Sequence, residues 1–198
     1  MSYNVHDSLK QCSVEELKST SELDRLNYAI CLMNVEYDNN IGNSIRSAHI
    51  FGAKKVVIFG KKKVDTRGTV GAHNYIQYIK HVIDDFSDEN CVLAEFRKMC
   101  LEHNLYPFFI EKTSTSKKLS EIRKKICLLS HQQNTEFKNI IPCLVFGNEN
   151  KGIPEFLMQK TSNEIYHIPQ LGVIRSLNVA SAVAVATYEI SKYITFTD

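Results

Sequence analysis

The chain has 198 residues, 43% of them hydrophobic, which is enough to bury one core, and we expect a single domain. No apolar run reaches the roughly 18 residues of a membrane span, and the acidic N-terminus lacks the apolar centre of an export signal. The net charge of +2 is too small to indicate nucleic-acid binding by itself. Six scattered cysteines, without a CxxC pair or a Cys/His cluster, favour free thiols in a reducing intracellular compartment and no bound metal.

The first part of the chain predicts a βαβ unit. We expect residues 1–27 to form a short N-terminal arm that is helical or loose. The continuous apolar run at 28–35 predicts a buried strand, and a polar turn and a helix at 41–52 follow it. A second buried strand is expected at 55–59, closed by a glycine. This order is typical of a parallel sheet.

The alternation of strands and helices continues to the end of the chain. Further strands are predicted at 75–83, 105–110, 140–146 and 164–168, and further helices at 88–104, about 119–129, from 154, and at 179–193. Pro107 lies inside one of these strands, which suggests an edge position or an irregular ladder there. We therefore predict an α/β fold with a mostly parallel sheet and helices on both faces.

Three polar loops that contain glycine each follow a predicted strand, at 36–46, 147–152 and 170–178. Ligands of parallel sheets bind in the crevice beyond the carboxyl ends of the strands, so we expect these loops to meet on one side. The sequence contains no GxGxxG after the first strand, no P-loop and no GxSxG. These absences argue against the common dinucleotide, nucleoside-triphosphate and serine-hydrolase sites.

Each of the three loops carries a short motif. These are NIGNSIR from Asn40, FGNENKGIP from Phe146, and IP at Ile168 followed by SLNV at Ser176. In this order and spacing they resemble the three signature motifs of the SpoU (TrmH-type) RNA 2′-O-ribose methyltransferases of the SPOUT superfamily. The resemblance covers about residues 28–194, and the second and third motifs look closest to the tRNA guanosine-18 branch.

The resemblance implies a fold, a cofactor and partners. The fold is the SPOUT-type α/β knot, in which the C-terminal segment threads through a loop to form a deep trefoil. Members of the family bind S-adenosylmethionine in a bent shape in the knot loops, and they are expected to be homodimers with the active site at the subunit interface. The implied activity is methyl transfer to a ribose 2′-hydroxyl of RNA. The leading interpretation is a guanosine in the D-loop of tRNA, modified in the cytoplasm.

The resemblance also implies catalytic roles. Arg46 is the arginine of the first motif, and because a guanidinium is almost always protonated we expect it to bind the ribose and adjacent phosphate and to take part in deprotonation. Asn40 is expected to orient Arg46. Glu149 is expected to bond to backbone groups or to Asn40 and Arg46, while Ser176 and Asn178 lie near the target ribose and the methyl group. From the residues alone, Ser176 is also explained as a helix cap and Arg46 as a surface residue in a salt bridge.

The cofactor site that the resemblance implies is mostly apolar. A glycine allows the backbone to approach a ligand closely, and the remaining residues enclose the adenine. The implied cofactor-binding residues are Ile110, Gly147, Ile168, Leu171, Ser176 and Leu177. We expect no metal at this site.

The chain also departs from the family pattern. We interpret the basic stretch at about 113–138 as an insertion in a catalytic domain of residues 28–198, with contact to RNA or a partner. We see no separate N-terminal RNA-binding domain, so substrate choice would rest on the catalytic domain or on a partner. Ribosomal RNA as the target, a non-catalytic SPOUT-like RNA-binding protein, and a general flavodoxin-like binding domain remain alternatives.

Overall fold

A sheet of parallel strands lies at the centre of the protein. The structure is a computed structural model that describes residues 4–23, 25–60, 63–131 and 140–194. The strands are β1 (Leu26–Met33), β2 (Ala53–Gly60), β3 (Gln77–Val82), β4 (Leu105–Ile110), β5 (Lys117–Lys118), β6 (Ile141–Phe146) and β7 (Ile165–His167). Within these ranges they form one sheet of seven strands in the order β3-β2-β1-β6-β4-β7-β5, and each pairing between named strands is parallel.

Helices cover both faces of the sheet. They are α1 (Val14–Leu23), α2 (Asp38–Ile50), α3 (Glu89–Glu102), α4 (Ile122–His131), α5 (Glu155–Lys160) and α6 (Val179–Ile194). Short 3-10 turns lie at Asp7–Leu9, Thr66–Thr69, Ala72–Asn74 and Leu119–Glu121. One core packs α2, α4 and α6 on the sheet, and the other packs α3 and α5. The predicted α/β fold with a parallel sheet and helices on both faces is confirmed.

The two cores follow from alternation along the strands and from helical spacing in the helices. In β1, Tyr28 and Ile30 enter one core while Ala29 and Cys31 enter the other, because successive side chains of a strand point to opposite faces. The predicted inner faces of the helices are buried: Ile41, Ile45 and Ala48 in α2, Val92, Phe96 and Met99 in α3, and Val183, Ala186 and Ile190 in α6. Burial of these stripes holds the strand ends in fixed positions.

Pro107 lies in an interior strand, so the expectation of an edge strand is wrong. β4 pairs with β6 from Leu105 onward, but its ladder with β7 begins only at Phe109. The carbonyl of Pro107 instead accepts a 2.6 Å hydrogen bond from the hydroxyl of Ser162. A proline is tolerated here because its missing N–H faces a position where β7 has not yet begun. The alternative of an irregular ladder is therefore correct.

The N-terminal segment packs against the rest of the domain and is hydrogen-bonded to it. Leu17 of α1 is buried, and the guanidinium of Arg25 donates hydrogen bonds of 3.0 Å to the carbonyl of His49 and 2.7 Å to that of Tyr75. The division into an arm at 1–27 and a catalytic domain stays a prediction. No helix in the described parts of the chain has the length and apolarity needed to cross a bilayer.

The predicted basic insertion is partly structural. Its described portion contains β5 and α4, and the side chains of Ile122 and Ile126 are buried in the core. Residues 132–139, which include the predicted polar connector, lie outside the described residues. The stretch therefore supplies core residues on one side of α4, and RNA contact by its other side stays a prediction.

Candidate active site

A cavity of about 1080 Å³ lies beyond the carboxyl ends of β4, β6 and β7. Its wall comes from three segments, at 110–114, at 146–153 and at 167–182. These segments follow neighbouring strands of the sheet, so their positions are set by the strand order. A cavity of this size at this end of a parallel sheet is suited to a small-molecule ligand.

Glu149 connects the second motif to the first. One carboxylate oxygen accepts a 2.9 Å hydrogen bond from the backbone N–H of Glu36, and the other accepts bonds of 3.2 Å from the N–H of Tyr37 and 2.8 Å from the amide of Asn40. Partial burial alone would raise the pKa of Glu149, but these hydrogen bonds outweigh it and the pKa lies below its usual range. A carboxylate that is ionised and bonded in this way orients its partners and is poorly suited to proton transfer.

Asn178 connects the third motif to the same network. Its amide donates a 2.9 Å hydrogen bond to the carbonyl oxygen of the Asn40 side chain. Its own oxygen accepts from the backbone N–H groups of Ala180 at 2.9 Å and Ser181 at 3.4 Å, at the start of α6. Each amide has one orientation that satisfies both neighbours, so the chain from Glu149 through Asn40 to Asn178 is internally consistent. The three loops therefore meet on one side of the sheet, as predicted.

The helix cap is Asn178 and not Ser176. α6 begins at Val179, and the oxygen of Asn178 accepts from the first free N–H groups of that helix. The alternative that Ser176 caps this helix is therefore wrong. Ser176 is exposed and lines the cavity, which leaves its hydroxyl available to a ligand.

Asn148, a residue of the second motif with no predicted role, organises the loop after β6. Its side-chain oxygen accepts from the N–H groups of Asn150 at 2.9 Å and Lys151 at 3.0 Å. Its amide donates 2.8 Å to the carbonyl of Asn34 and 3.0 Å to the carboxylate of Glu36. The first contacts have the local pattern of an Asx turn, which the NEN sequence could have indicated. The contacts with Asn34 and Glu36 span more than 100 positions and leave no local signal.

Gly147 permits the two ends of this loop to touch. A Cβ at this position would lie 2.3 Å from the carbonyl carbon of Gly152 and 2.5 Å from the backbone nitrogen of Ile153. Any side chain would therefore force the loop apart. The close approach at Gly147 is thus to the protein's own backbone, and it brings main-chain groups of the loop to the cavity wall. The expected approach of Gly147 to the cofactor stays a prediction.

Arg46 lies apart from the residues that it was expected to meet. It is exposed on α2, does not line the cavity, and its side chain makes no hydrogen bond or ion pair within the described residues. Asn40 is already occupied by Glu149 and Asn178, so it does not orient Arg46 in this structure. The alternative of a salt-bridged surface arginine has no support among the described residues either. With no partner in the described part of the chain, the guanidinium can bind an external anion.

Five of the six expected cofactor-binding residues line the cavity: Ile110, Gly147, Ile168, Ser176 and Leu177. Leu171 does not line it, because the loop directs its side chain outward, where it is fully exposed. The neighbouring Val173 and Ile174 are also largely exposed. Among the described residues, no group of His, Cys, Asp and Glu is arranged to hold a metal ion.

Comparison with known proteins gives matches over most of the chain. The model of the SpoU rRNA methylase family matches residues 27–188. A Mycoplasma pneumoniae protein with the provisional name tRNA (cytidine(34)-2′-O)-methyltransferase is 28% identical over 168 residues, covering 82% of this chain and 89% of that protein.

Two solved structures have the same fold. The TrmH/SpoU tRNA modifying enzyme of A. aeolicus has a TM-score of 0.66 at 19% identity and covers 91% of this chain and 81% of its own. The SpoU methyltransferase AviRb of Streptomyces viridochromogenes, solved in complex with the cofactor AdoMet, has a TM-score of 0.58 at 19% identity, over 85% of this chain and 58% of its own.

Proposed function

The chain belongs to the SpoU rRNA methylase family, and on that premise we propose that it transfers a methyl group from S-adenosylmethionine to a ribose 2′-hydroxyl of RNA. The observation that carries this proposal is the hydrogen-bonded chain from Glu149 through Asn40 to Asn178. It joins all three motif loops beside a cavity of cofactor size. Networks of this kind preorganise a site for group transfer by fixing positions before the ligand arrives.

The cavity residues fit S-adenosylmethionine, which supplies a methyl group on a positively charged sulfur when bound. Ile110, Ile168 and Leu177 offer apolar surface for the adenine, and the loop at 147–153 offers main-chain groups. Gln170 also lines the cavity. Its side-chain oxygen is buried and has no hydrogen-bond partner among the described residues. An unpaired buried acceptor is costly, so it favours a ligand with a donor at this point.

The protein's own residues would handle the ribose. Asn178 is fixed by the helix end and by Asn40, and the hydroxyl of the exposed Ser176 lies in the same loop. Arg46 binds the ribose and adjacent phosphate, because a free guanidinium forms paired hydrogen bonds with phosphate oxygens. Its positive charge lowers the pKa of the bound 2′-hydroxyl, so that the hydroxyl proton passes to solvent water as the oxygen takes up the methyl group. The carboxylate of Glu149 stays ionised and holds the first motif in place.

We propose tRNA as the substrate. The name of the Mycoplasma pneumoniae relative supports tRNA and makes cytidine 34 the first position to test, while the guanosine of the D-loop stays the prediction from the motifs. Ribosomal RNA is the second candidate, since the family as a whole is described by rRNA methylation. The non-catalytic alternative is disfavoured because Arg46, Glu149, Ser176 and Asn178 are all present.

We also propose that the protein acts as a homodimer inside the cell. The apolar side chains of Leu171, Val173 and Ile174 are exposed on one loop beside the cavity, and a second copy would cover them. Arg46, whose side chain has no partner among the described residues of one chain, would then complete a site that both copies share. The knot and the cytoplasmic location that the family resemblance implies stay predictions.

The deciding experiment is methyl transfer from labelled S-adenosylmethionine to a transcribed tRNA pool. The product is mapped by the resistance of the 2′-O-methylated linkage to alkaline cleavage, with Arg46→Ala as the matched variant. We expect label at one tRNA position with the wild type and none with the variant. Label in ribosomal RNA alone would reject tRNA and keep the chemistry. No transfer to either RNA and no cofactor binding would reject the enzymatic proposal.

A further inference from the structure

Glu111 is a cavity residue that none of the three motifs contains. It directly follows β4, and one oxygen of its carboxylate accepts a 3.1 Å hydrogen bond from the backbone N–H of Ile153, which lies 42 positions further along the chain. The other oxygen accepts a 3.1 Å bond from the N–H of Lys112. The carboxylate thus ties the end of β4 to the loop that follows β6.

The same carboxylate also fills the space beside Gly152. This glycine has a φ of +66°, and a Cβ on it would lie 2.6 Å from a carboxylate oxygen of Glu111. Gly152 exchanges two backbone hydrogen bonds with Asn148, of 2.9 and 3.2 Å. A side chain at 152 would therefore displace the carboxylate, and it would also strain the turn, because the positive φ at this position favours glycine.

Glu111 and Glu149 hold this loop from opposite sides. Glu149 joins it to the start of α2, and Glu111 joins it to the end of β4. Glu111 is the contact that fixes the second end of the loop, because Ile153 is 5% exposed and its N–H has this carboxylate as its partner. Removing the carboxylate would leave a buried donor unpaired, which the loop can relieve only by moving.

We propose that Glu111 is a positioning residue for cofactor binding, which it supports by fixing the backbone of residues 147–153 against the cavity. The identity of the ligand rests on the proposed function, whereas the role of Glu111 in holding the loop does not. A loop whose main-chain groups form the cavity wall binds a ligand tightly only if its conformation is already set, because any ordering on binding reduces affinity.

The test compares Glu111→Ala and Glu111→Gln with the wild type. A glutamine keeps one acceptor oxygen but cannot accept from both Ile153 and Lys112. The matched control is Glu121→Gln, because Glu121 also accepts a backbone N–H, from Lys118 at 3.0 Å, but lies outside the cavity wall. The readouts are the Kd for S-adenosylmethionine by calorimetry, the hydrogen exchange of the Ile153 amide in the ligand-free protein, and the melting temperature.

We expect Glu111→Ala to raise the Kd about tenfold, as the loss of a charged hydrogen-bond acceptor predicts, and to speed exchange at Ile153. Glu111→Gln should fall between Glu111→Ala and the wild type. Glu121→Gln should match the wild type in the Kd and in the exchange rate of the Ile153 amide. If Glu111→Ala does not fold, the glutamine variant carries the test.

The two proposals fail in different ways. A wild type that does not bind S-adenosylmethionine, with Ile153 exchange still faster in the Glu111 variants, rejects the proposed cofactor and keeps the role of Glu111 in the loop. Wild-type affinity and an unchanged Ile153 exchange in folded Glu111 variants overturn the positioning role. A Kd that rises equally in the Glu121 control also overturns it, because the effect is then not specific to the cavity.

Discussion

The amide of Asn40 donates a 2.8 Å hydrogen bond to Glu149, 109 positions further along the chain. Through its other atom Asn40 accepts from Asn178, 138 positions away. One asparagine side chain therefore joins three loops, because an amide offers a donor and an acceptor on opposite sides. Neither a carboxylate nor an apolar side chain of similar size can replace both contacts.

Asn40→Asp should reduce methyl transfer and stability together. The change replaces the donor with a carboxylate beside Glu149, so the pKa of one of the two carboxyl groups rises. A raised pKa in the folded state means that the loss of stability is full above that pKa and shrinks as the pH falls. We expect the free energy of unfolding to fall by about 1–3 kcal/mol near neutral pH and to recover in part in mild acid.

Urea unfolding of Asn40→Asp at about pH 7.5 and about pH 5 checks this prediction. Asn43→Asp is the matched control, because Asn43 is exposed on the same helix. A loss of stability in Asn40→Asp that is equal at both pH values, or that the control shares, would mean that repulsion from Glu149 is not the cause.

Glu149 should give the wild type an acid-sensitive stability that Glu149→Gln lacks. Its pKa is lowered in the folded protein, so the stabilisation is present above the ordinary glutamate pKa and is lost as the pH falls through the folded value. We expect the variant to be about 1 kcal/mol less stable at neutral pH, after allowance for solvent screening, with the gap closing as the pH falls below the ordinary glutamate pKa. Chemical unfolding of both proteins across the acid range measures the gap, and a gap that widens in acid would contradict the assignment.

Local patterns were sufficient to predict six of the seven strands, the helices and the meeting of the loops, but they missed β5, whose two residues are exposed lysines. The apolar run before Gly147 indicated a central strand, and the order of strands then fixed where the next loop lies. The partners inside the site were not predictable in the same way. Glu36 and Asn148 lie 112 positions apart, and neither has a neighbour in sequence that signals the contact.

Other differences come from tertiary context that acts on a correct local signal. Ser176 and Asn178 are both good capping residues, and the choice between them depends on where α6 starts. Pro107 correctly indicates a missing N–H in the ladder. Whether β4 is an interior strand depends on where its pairing with β7 begins, and that pairing begins only after Pro107. Glu111 carries no local signal, since its main contact lies 42 positions away.

Gly147→Ala should destabilise the protein and weaken cofactor binding. The added methyl group would lie 2.3 Å from the carbonyl carbon of Gly152, so the loop must open. We expect a loss of about 1–3 kcal/mol in the free energy of unfolding, as for other overpacked sites. Gly172→Ala is the matched control for stability, because a Cβ at 172 meets no atom within 4 Å. Denaturant unfolding of both variants measures this loss. Equal unfolding midpoints would show that the contact with Gly152 does not exclude a side chain at 147.

Charge reversal on β5 and α4 should weaken RNA binding, if the basic stretch contacts RNA. Lys124 and Lys125 are adjacent basic residues of α4 and are candidates for the substitution. Lys125, however, forms an ion pair of 3.2 Å with the largely buried carboxylate of Glu164. Lys117 shares that carboxylate at 3.4 Å. A glutamate at 125 would therefore disturb the fold, and the exposed Lys118 and Lys124 are the better pair.

The double variant Lys118→Glu/Lys124→Glu should bind tRNA about tenfold more weakly at low salt, and the dependence of log Kd on log salt should fall by about 1–2, because about two phosphate contacts are lost. Lys98→Glu/Lys160→Glu makes the same charge change on α3 and α5, which pack on the opposite face of the sheet, and should have a smaller effect. Titration of labelled tRNA at several salt concentrations measures both quantities. Equal losses in the two variants would attribute the effect to net charge, and undiminished binding by the first would reject α4 as an RNA contact.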